Sequence, residues 1–470
     1  LNPNPASTIS FNGTGNQTIS RIGGETFNHL SVNKSGGGIL LGNDVTIGGT
    51  LSLSSGNILT GPNVAAISST GTVARTSGHV VGYLKKYMPV GSPTAIFEIG
   101  DNANYTPADF SFSGVTTGGD IMVSVVQTEH PDAGTSPMVS TKSVNRFWSV
   151  MNSGTVFSSV NTVVHFVASD VDPGAAPVNF HAFKYDAPDW TVPIVGTRTS
   201  TSTEFLGLTS FSDLAVGEIV SNTITASASP GGSISPSGSV GVNYGNNQSF
   251  SLTANTGYRI DSVVVDGTNQ GALTNHSFTN VTAGHTIAAY FSIDVLTITA
   301  TASAGGSITP SGTVNVNYGS NQSFSIVPAT GYYIADVTVD SVSVGAVGSY
   351  NFTGVVTNHT VAALFAITQF SVTATASTGG AISPSGTIGV NYGDDAVFTV
   401  TPDTGRHIDS VVVDGVNAGA LTGHTFTNIT ANHTIAAYFS INSYTITASA
   451  SAGGTISPTG SVSVTHGATQ

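Results

Sequence analysis

The chain carries at residues 231–238 the sequence GGSISPSG and at residues 278–291 the sequence FTNVTAGHTIAAYF. Both return every 74 residues, so that the glycine pair starting at 231 recurs at 305, 379 and 453 without an insertion or deletion. A fixed period of this length indicates that each copy folds as one unit. We therefore expect three repeats, at 221–294, 295–368 and 369–442, and a truncated fourth copy at 443–470. From this truncated copy we expect the chain to continue or to join another chain.

Alternating apolar residues predict that each copy is built from β-strands. In the last strand, for example, Ile287, Ala289 and Phe291 fall on one face. Asp266-Gly267 predicts a two-residue hairpin turn, because both residues tolerate the positive φ of a type I′ turn. The second copy has Ser341 in place of the glycine, so its turn geometry can differ. No segment keeps a 3.6-residue period, and we predict an all-β chain with essentially no helix.

The first 220 residues divide into two parts that differ from the repeats. Residues 1–92 carry short alternating runs separated by glycine-rich turns, which is typical of the coils of a β-solenoid. Residues 93–220 carry longer strand candidates and aromatic anchors such as Trp148, at the spacing of an antiparallel β-sandwich. The predicted joint between the two parts lies at residues 89–93.

The composition excludes several classes of protein. Hydrophobic residues make up 39% of the chain and charged residues only 8%, a balance typical of β-rich extracellular proteins with hydroxyl and amide surfaces. The net charge is −14, and beyond residue 220 the fixed cations are Arg259 and Arg406. Binding to nucleic acid or to anionic membranes is therefore not expected. There is no apolar run of membrane-spanning length and no cysteine, so we expect neither membrane insertion nor disulfides.

Further repeated motifs are VNYG at 242–245 and TGYRIDSVVVDG at 256–267. With the two motifs above, they resemble the divergent internalin B-type repeats of bacterial surface proteins, over slightly more than half of the chain. The resemblance implies a stalk or spacer module. The first half, with NRFWSV at 145–150 and TSFSDLAVGE at 209–218, is similar to solenoid-plus-sandwich segments of secreted Bacteroidetes proteins. That resemblance implies an extracellular or bacterial cell-surface location and secretion by the type IX route.

Three residues in each copy invite a functional interpretation. The repeated histidines suggest metal ligands, but a metal site needs several converging ligands, and only Asn and Thr recur beside them. We interpret them as turn histidines that lead into the last strand: His285, His359 and His433. We interpret the repeated aspartates as turn residues, with calcium binding as the alternative: Asp266, Asp340 and Asp414. The repeated tyrosines could stack on sugars, but as a periodic set they predict packing in the core or between repeats: Tyr244, Tyr318 and Tyr392.

Oxygen-rich loops in the sandwich segment are candidate calcium sites. They lack the spacing of a defined calcium loop, so we interpret them as ordinary turns and expect no cofactor. Calcium remains the alternative for Asp101, Asn104, Asp109, Asp170 and Asp172.

Candidates for catalysis are few. Glu129, His130 and Asp132 suggest acid–base chemistry, but the segment is predicted to be a surface loop. The solenoid segment offers only Glu25 and Asp44 as acids, too little for a polysaccharide-degrading groove. We therefore predict that the protein is not an enzyme.

Asp-Ser-Val triplets look like the short O-glycosylation motif of secreted Bacteroidetes proteins. They make candidate glycosylation sites of Ser262, Ser341 and Ser410, of which the first and third occupy equivalent positions. The interpretation that we favour is a polar residue entering a strand.

These observations predict a secreted or cell-surface structural protein. It is either an adhesin-like stalk or a subunit of an extracellular filament, with the repeats as spacers. Self-association through unpaired strand edges is the expected partner interaction. The alternative is a surface module that binds glycans, with the sandwich as its binding head.

Overall fold

The structure is a computed structural model that describes residues 7–470. Its N-terminal part consists of ten strands: Thr8–Gly13 (β1), Gln17–Ile19 (β2), Glu25–Phe27 (β3), His29–Lys34 (β4), Ile39–Leu41 (β5), Val45–Ile47 (β6), Thr50–Ser55 (β7), Ile58–Ile67 (β8), Thr72–Arg75 (β9) and Val80–Met88 (β10).

Parallel strand ladders confirm the predicted solenoid. Strands β1, β4, β7 and β9 stack in one sheet, while β2, β5, β8 and β10 stack in a second, which β3 and β6 extend. Leu30 lies opposite Leu51 in the first ladder, and Ile39 lies opposite Ile58 in the second. All four side chains are buried, because every second residue of a strand points into the coil and meets its counterpart from the next coil.

The sandwich segment contributes eleven strands and three short 3-10 helices. The strands are Thr94–Phe97 (β11), Ile99–Gly100 (β12), Ala108–Ser113 (β13), Gly119–Val126 (β14), Met138–Ser153 (β15), Ser159–His165 (β16), His181–Asp186 (β17), Asp189–Thr191 (β18), Ile194–Arg198 (β19), Ser202–Leu208 (β20) and Asp213–Ile219 (β21). The helices are Ala133–Thr135, Ala168–Asp170 and Pro177–Asn179.

One sheet runs from the solenoid into the sandwich. Strand β10 pairs in parallel with β8 on one side and antiparallel with β14 on the other. The sheet then continues through β15, β21, β17 and β18 and contains 12 strands; we call it the common sheet. A five-stranded sheet in the order β11-β13-β16-β20-β19 covers it, and one hydrophobic core spans both parts, from Ile19 to Val216. Residues 89–93, the predicted joint, lie between β10 and β11.

Each complete repeat has eight strands. In repeat 1 they are Ser221–Ala228 (β22), Gly232–Ser235 (β23), Gly238–Asn243 (β24), Gln248–Ala254 (β25), Tyr258–Val265 (β26), Thr268–Asn269 (β27), Asn275–Phe278 (β28) and His285–Ile293 (β29). In repeat 2 they are Val295–Ala302 (β30), Gly306–Thr309 (β31), Gly312–Asn317 (β32), Gln322–Pro328 (β33), Tyr332–Val339 (β34), Val342–Gly345 (β35), Ser349–Phe352 (β36) and His359–Ile367 (β37).

Repeat 3 follows the same order, and the fourth copy contributes a hairpin. The strands of repeat 3 are Gln369–Ala376 (β38), Gly380–Ser383 (β39), Gly386–Asn391 (β40), Ala396–Pro402 (β41), Arg406–Val413 (β42), Val416–Asn417 (β43), Gly423–Phe426 (β44) and His433–Ile441 (β45). The hairpin pairs Ser443–Ala448 (β46) with Gly460–Thr465 (β47).

Two sheets enclose a separate core in each repeat. In repeat 1 the five-stranded sheet has the order β24-β22-β29-β26-β27 and faces a three-stranded sheet, β23-β25-β28. The predicted facing of the last strand is confirmed, since Ile287 and Ala289 are buried. The turn prediction is also confirmed: Asp266 has φ 48°, and in the second copy Asp340 and Ser341 have φ 49° and 68°, so the serine adopts the left-handed conformation in place of glycine.

Candidate functional site: repeat junctions and polar clusters

The same backbone hydrogen bonds join each repeat to the next. Between repeats 1 and 2, the Asp294 amide donates to the Gly257 carbonyl at 2.8 Å, and the Tyr318 amide donates to the Asp294 carbonyl at 2.8 Å. We call this arrangement a junction. It recurs at the next two boundaries through Gly331, Thr368 and Tyr392, and through Gly405, Asn442 and His466. It also joins the sandwich to repeat 1 through Pro137, Val220 and Tyr244.

At the junctions between copies, an aromatic ring lies directly over the glycine. Gly331 has φ +81°, a conformation that favours glycine, and a Cβ atom placed on it would overlap the ring of Tyr392. Gly257 stands in the same relation to Tyr318, and Gly405 to His466. The prediction of packing between repeats is therefore confirmed for Tyr318 and Tyr392.

Each repeat brings an aspartate, a histidine and a threonine together. Asp266 Oδ2 lies 2.7 Å from His285 Nδ1, and Asp266 Oδ1 accepts a 2.8 Å hydrogen bond from the Thr286 amide. The interpretation that only Asn and Thr recur beside the histidines is wrong, because the hairpin turn folds the aspartate back onto the start of the last strand. The same distances recur in two further trios: Asp340, His359 and Thr360, and Asp414, His433 and Thr434.

These trios hold the hairpin turn against the last strand. The hydrogen bond from His359 lowers the pKa of Asp340, and the Thr360 amide adds to this effect. At Asp266, desolvation raises the pKa, but the Thr286 amide and His285 lower it by more. Among residues 7–470, no group of three or more His, Cys, Asp or Glu side chains is placed to hold a metal ion. The trios can therefore hold the turn in place, and acid that protonates the aspartate weakens this interaction.

Two of the candidate calcium ligands hold an arginine that the sequence did not suggest. Arg146 is fully buried; its guanidinium donates to Asp101 Oδ2 at 2.6 Å and to Asp170 Oδ2 at 2.8 Å. A third bond, of 3.1 Å, goes to the Thr106 hydroxyl. Desolvation raises the pKa of Asp101, but the bond from Arg146 and the Asn104 amide outweigh it and leave the pKa lowered. The two carboxylates thus share one buried guanidinium, which balances one of their two negative charges.

The other candidate calcium ligands have separate partners. Asp109 pairs with His165 at 3.0 Å, and Asp172 accepts hydrogen bonds from the Ser143 amide at 2.9 Å and from the Asn145 side chain at 2.7 Å. Asn104 lies beside Asp101. The five candidates therefore form several local networks rather than one cluster.

The prediction of a surface loop at residues 129–132 is wrong for His130, which is only 5% exposed. Its ring packs edge-on against Phe147, Tyr185 and Trp190, with centroids 4.7–4.9 Å apart. Its Nδ1 accepts from the Asp132 amide at 3.1 Å, so its Nε2 is the atom that can donate to Asp213 at 3.3 Å. Contacts with these aromatic residues of the sandwich bury the His130 side chain. Glu129 accepts a 2.7 Å bond from the Ser143 hydroxyl, and burial raises the pKa of Glu129.

The two acids of the solenoid have local partners. Glu25 forms an ion pair with Arg21 at 3.1 Å, and Asp44 Oδ1 accepts a 2.9 Å bond from the Val64 amide.

The candidate glycosylation sites occupy different environments. Ser262 and Ser410 are half-buried in β26 and β42, each directly after a β-bulge and opposite a tyrosine of the neighbouring strand. Ser341 is exposed in its hairpin turn.

Comparisons with known proteins bear on the third repeat. A family model for the divergent InlB B-repeat domain matches residues 370–443, well under half of the chain. A comparison with curated proteins found no match. A crystal structure of the N-terminal four Ig domains of Dscam1 isoform 9.44 aligns over 62% of this chain and 93% of that chain. Its identity of 9% and TM-score of 0.09 are too low to support an argument. None of the helices in residues 7–470 is long and apolar enough to cross a membrane.

Proposed function

We propose that this protein is a structural protein of the bacterial surface or extracellular space, in which the repeats hold the solenoid and sandwich at a set distance. The observation that carries this proposal is the junction, which has the same hydrogen bonds at every boundary from residue 220 onward. Each junction between copies places an aromatic ring against a glycine, and the junction to the sandwich uses the equivalent backbone bonds. These contacts hold neighbouring repeats in one relative orientation. An array of this kind adds a similar length with each copy.

Three further observations support a structural role. Each repeat has its own closed core, so added copies do not depend on distant parts of the chain. The polar trios of the repeats hold turns in place. The match of repeat 3 to a divergent InlB B-repeat agrees with a surface array, and the resemblance of the first half to secreted Bacteroidetes segments makes the type IX route part of the proposal.

Two forms of this function differ in self-association. In an adhesin-like stalk the chain acts alone, whereas in a filament subunit the unpaired edges of the sheets bind another copy. Strand β1 lies at the edge of its sheet in the part of the chain that the structure describes. Sedimentation velocity over a hundredfold concentration range separates the two, because only the filament form grows with concentration.

The spacer proposal is tested by changing the number of repeats. Deletion of residues 295–368 joins repeat 1 to repeat 3 and brings Gly257 against Tyr392, whereas duplication of the same block adds one junction. The last strand of a repeat has nine residues, about 30 Å at ~3.3 Å per residue. Small-angle X-ray scattering should therefore show the maximum dimension falling and rising by roughly 30 Å in the two variants. Unequal steps, or a chain no longer after duplication, would contradict a rigid spacer.

A further inference from the structure

A groove crosses the outer face of the common sheet where the solenoid meets the sandwich. It encloses about 430 Å³, a volume within the usual range for ligand sites. Its lining comes from strands of both parts and from the residues beside them, including Asp44, Val64 and Asn152. The groove exists because β10 joins the two parts into one sheet.

The floor of the groove is a row of side chains in direct lateral register across five strands. Met151 of β15 lies opposite Met122 of β14, and Met122 lies opposite Lys85 of β10. Lys85 lies opposite Ala66 of β8, and Ala66 opposite Thr46 of β6. Neighbouring strands lie ~4.8 Å apart, so the row is about 19 Å long. It therefore fits an elongated ligand that lies across the strands.

The lining combines apolar and polar groups. Two of the four methionines of the chain lie here, side by side, and Met151 is 44% exposed. Tyr87, 36% exposed, stands beside Asp120 in the neighbouring row, where the groove continues. Lys85 and Asp120 form an ion pair of 3.2 Å at the surface. The short Ala66 and Thr46 side chains leave the floor low at the solenoid end of the row.

The position and charge of the groove restrict the class of ligand. The backbone groups of the five strands are hydrogen-bonded within the sheet, so a ligand across them is held by side chains alone, unlike a peptide that adds to a strand edge. Two carboxylates, of Asp44 and Asp120, face one ammonium group, of Lys85. Together with a net charge of −14, this disfavours acidic polymers.

We propose that this groove binds a linear, uncharged oligosaccharide. Sugar rings have apolar faces, which pack on methionine and tyrosine side chains, and rims of hydroxyl groups, which carboxylate, amide and ammonium groups bind. The mixed lining supplies both kinds of contact along one line. This binding activity goes beyond the spacer function and does not depend on it.

Affinity electrophoresis of the full chain tests the proposal, with soluble neutral glucans, mannans, galactans and xylans in the gel and polygalacturonate as the acidic comparison. At least one neutral polymer should retard the protein, and polygalacturonate should not. The variant Met151→Glu should weaken the retarding interaction at least tenfold. Ile194→Glu, at an apolar residue of the same sandwich that is 73% exposed against 44% for Met151, should leave it unchanged.

Three outcomes would overturn the proposal: no retardation by any neutral polymer, equal retardation of wild type and Met151→Glu, or binding of polygalacturonate alone. A second variant, Lys85→Ala, guards against an effect of misfolding, because it removes a surface ion pair and should keep the tryptophan fluorescence of the wild type while weakening binding. None of these outcomes bears on the scattering experiment with altered repeat number, so the two proposals fail separately.

Discussion

Replacing a single junction glycine should loosen one repeat boundary without unfolding either repeat. In Gly331→Ala the new methyl group overlaps the Tyr392 ring, whereas in Gly345→Ala it meets nothing within 4 Å. Both glycines lie in repeat 2 and both have φ +81°. The cost of the left-handed conformation, roughly 1–2 kcal/mol, is therefore common to the two variants. The difference between them isolates the contact across the boundary.

The excess cost at Gly331 is the loss of the aromatic contact. At ~25 cal/mol per Å² of apolar surface, re-exposing about 40 Å² of the ring costs about 1 kcal/mol. A loss of about 1 kcal/mol raises the population of the open junction roughly fivefold. Hydrogen exchange with mass spectrometry can detect this change at the amides of Thr368 and Tyr392, which close the junction in the folded chain.

A double-mutant cycle identifies the cause. In a Tyr392→Ala background the ring is absent, so Gly331→Ala and Gly345→Ala should then reduce protection by the same amount. If Gly331→Ala showed no excess over Gly345→Ala in the wild-type background, or if the excess persisted without the ring, the junction would not depend on this contact.

Three further predictions concern the polar clusters. Arg146→Met removes the cationic partner of Asp101 and Asp170, which keep only amide donors, and should cost about 3–5 kcal/mol, read from urea unfolding by Trp148 and Trp190 fluorescence. Lys142→Met, at a partly exposed ion pair of the same sandwich, should cost less than ~1 kcal/mol. Addition of EDTA should leave the same transition unchanged, since the carboxylates of both aspartates are already hydrogen-bonded to the Arg146 guanidinium; a calcium-dependent shift would contradict this. The lowered pKa of Asp340 means that its contribution to stability is complete above the ordinary carboxyl pKa of 3.8 and is lost as the pH falls through the lower folded value. Asp340→Asn should therefore remove the acid-induced loss of hydrogen-exchange protection in repeat 2 alone, with repeats 1 and 3 as internal controls.

The local structure of the repeats could be predicted because alternation and turn chemistry act over a few residues. The strands at 260–265 and 286–292 and the Asp266 turn follow from such patterns. Strand β24, at Gly238–Asn243, did not, because its glycines and serine leave only Val240 and Val242 as apolar positions. Antiparallel pairing with β22 places this strand in the sheet.

Contacts between distant residues could not be predicted from local patterns. Arg146 lies in an ordinary strand sequence, and its carboxylate partners are 24 and 45 residues away. The same is true of the common sheet, since nothing in the sequence of β10 indicates that one edge pairs with the solenoid and the other with the sandwich. The trio of each repeat is an intermediate case. Its aspartate and histidine both recur in every complete copy, but their constant separation of 19 residues follows from the fixed period and does not indicate that they touch.

The similarity of the junctions affects how the gene can gain or lose repeats. Each complete repeat supplies an equivalent glycine carbonyl to the junction that follows it, and the sandwich supplies the carbonyl of Pro137. The amide that closes the junction comes from a tyrosine in the complete repeats and from His466 in the fourth copy. An in-frame gain or loss of one whole block therefore recreates the remaining boundaries without a compensating substitution. Recombination between copies can thus alter the reach of the protein in steps of whole repeats.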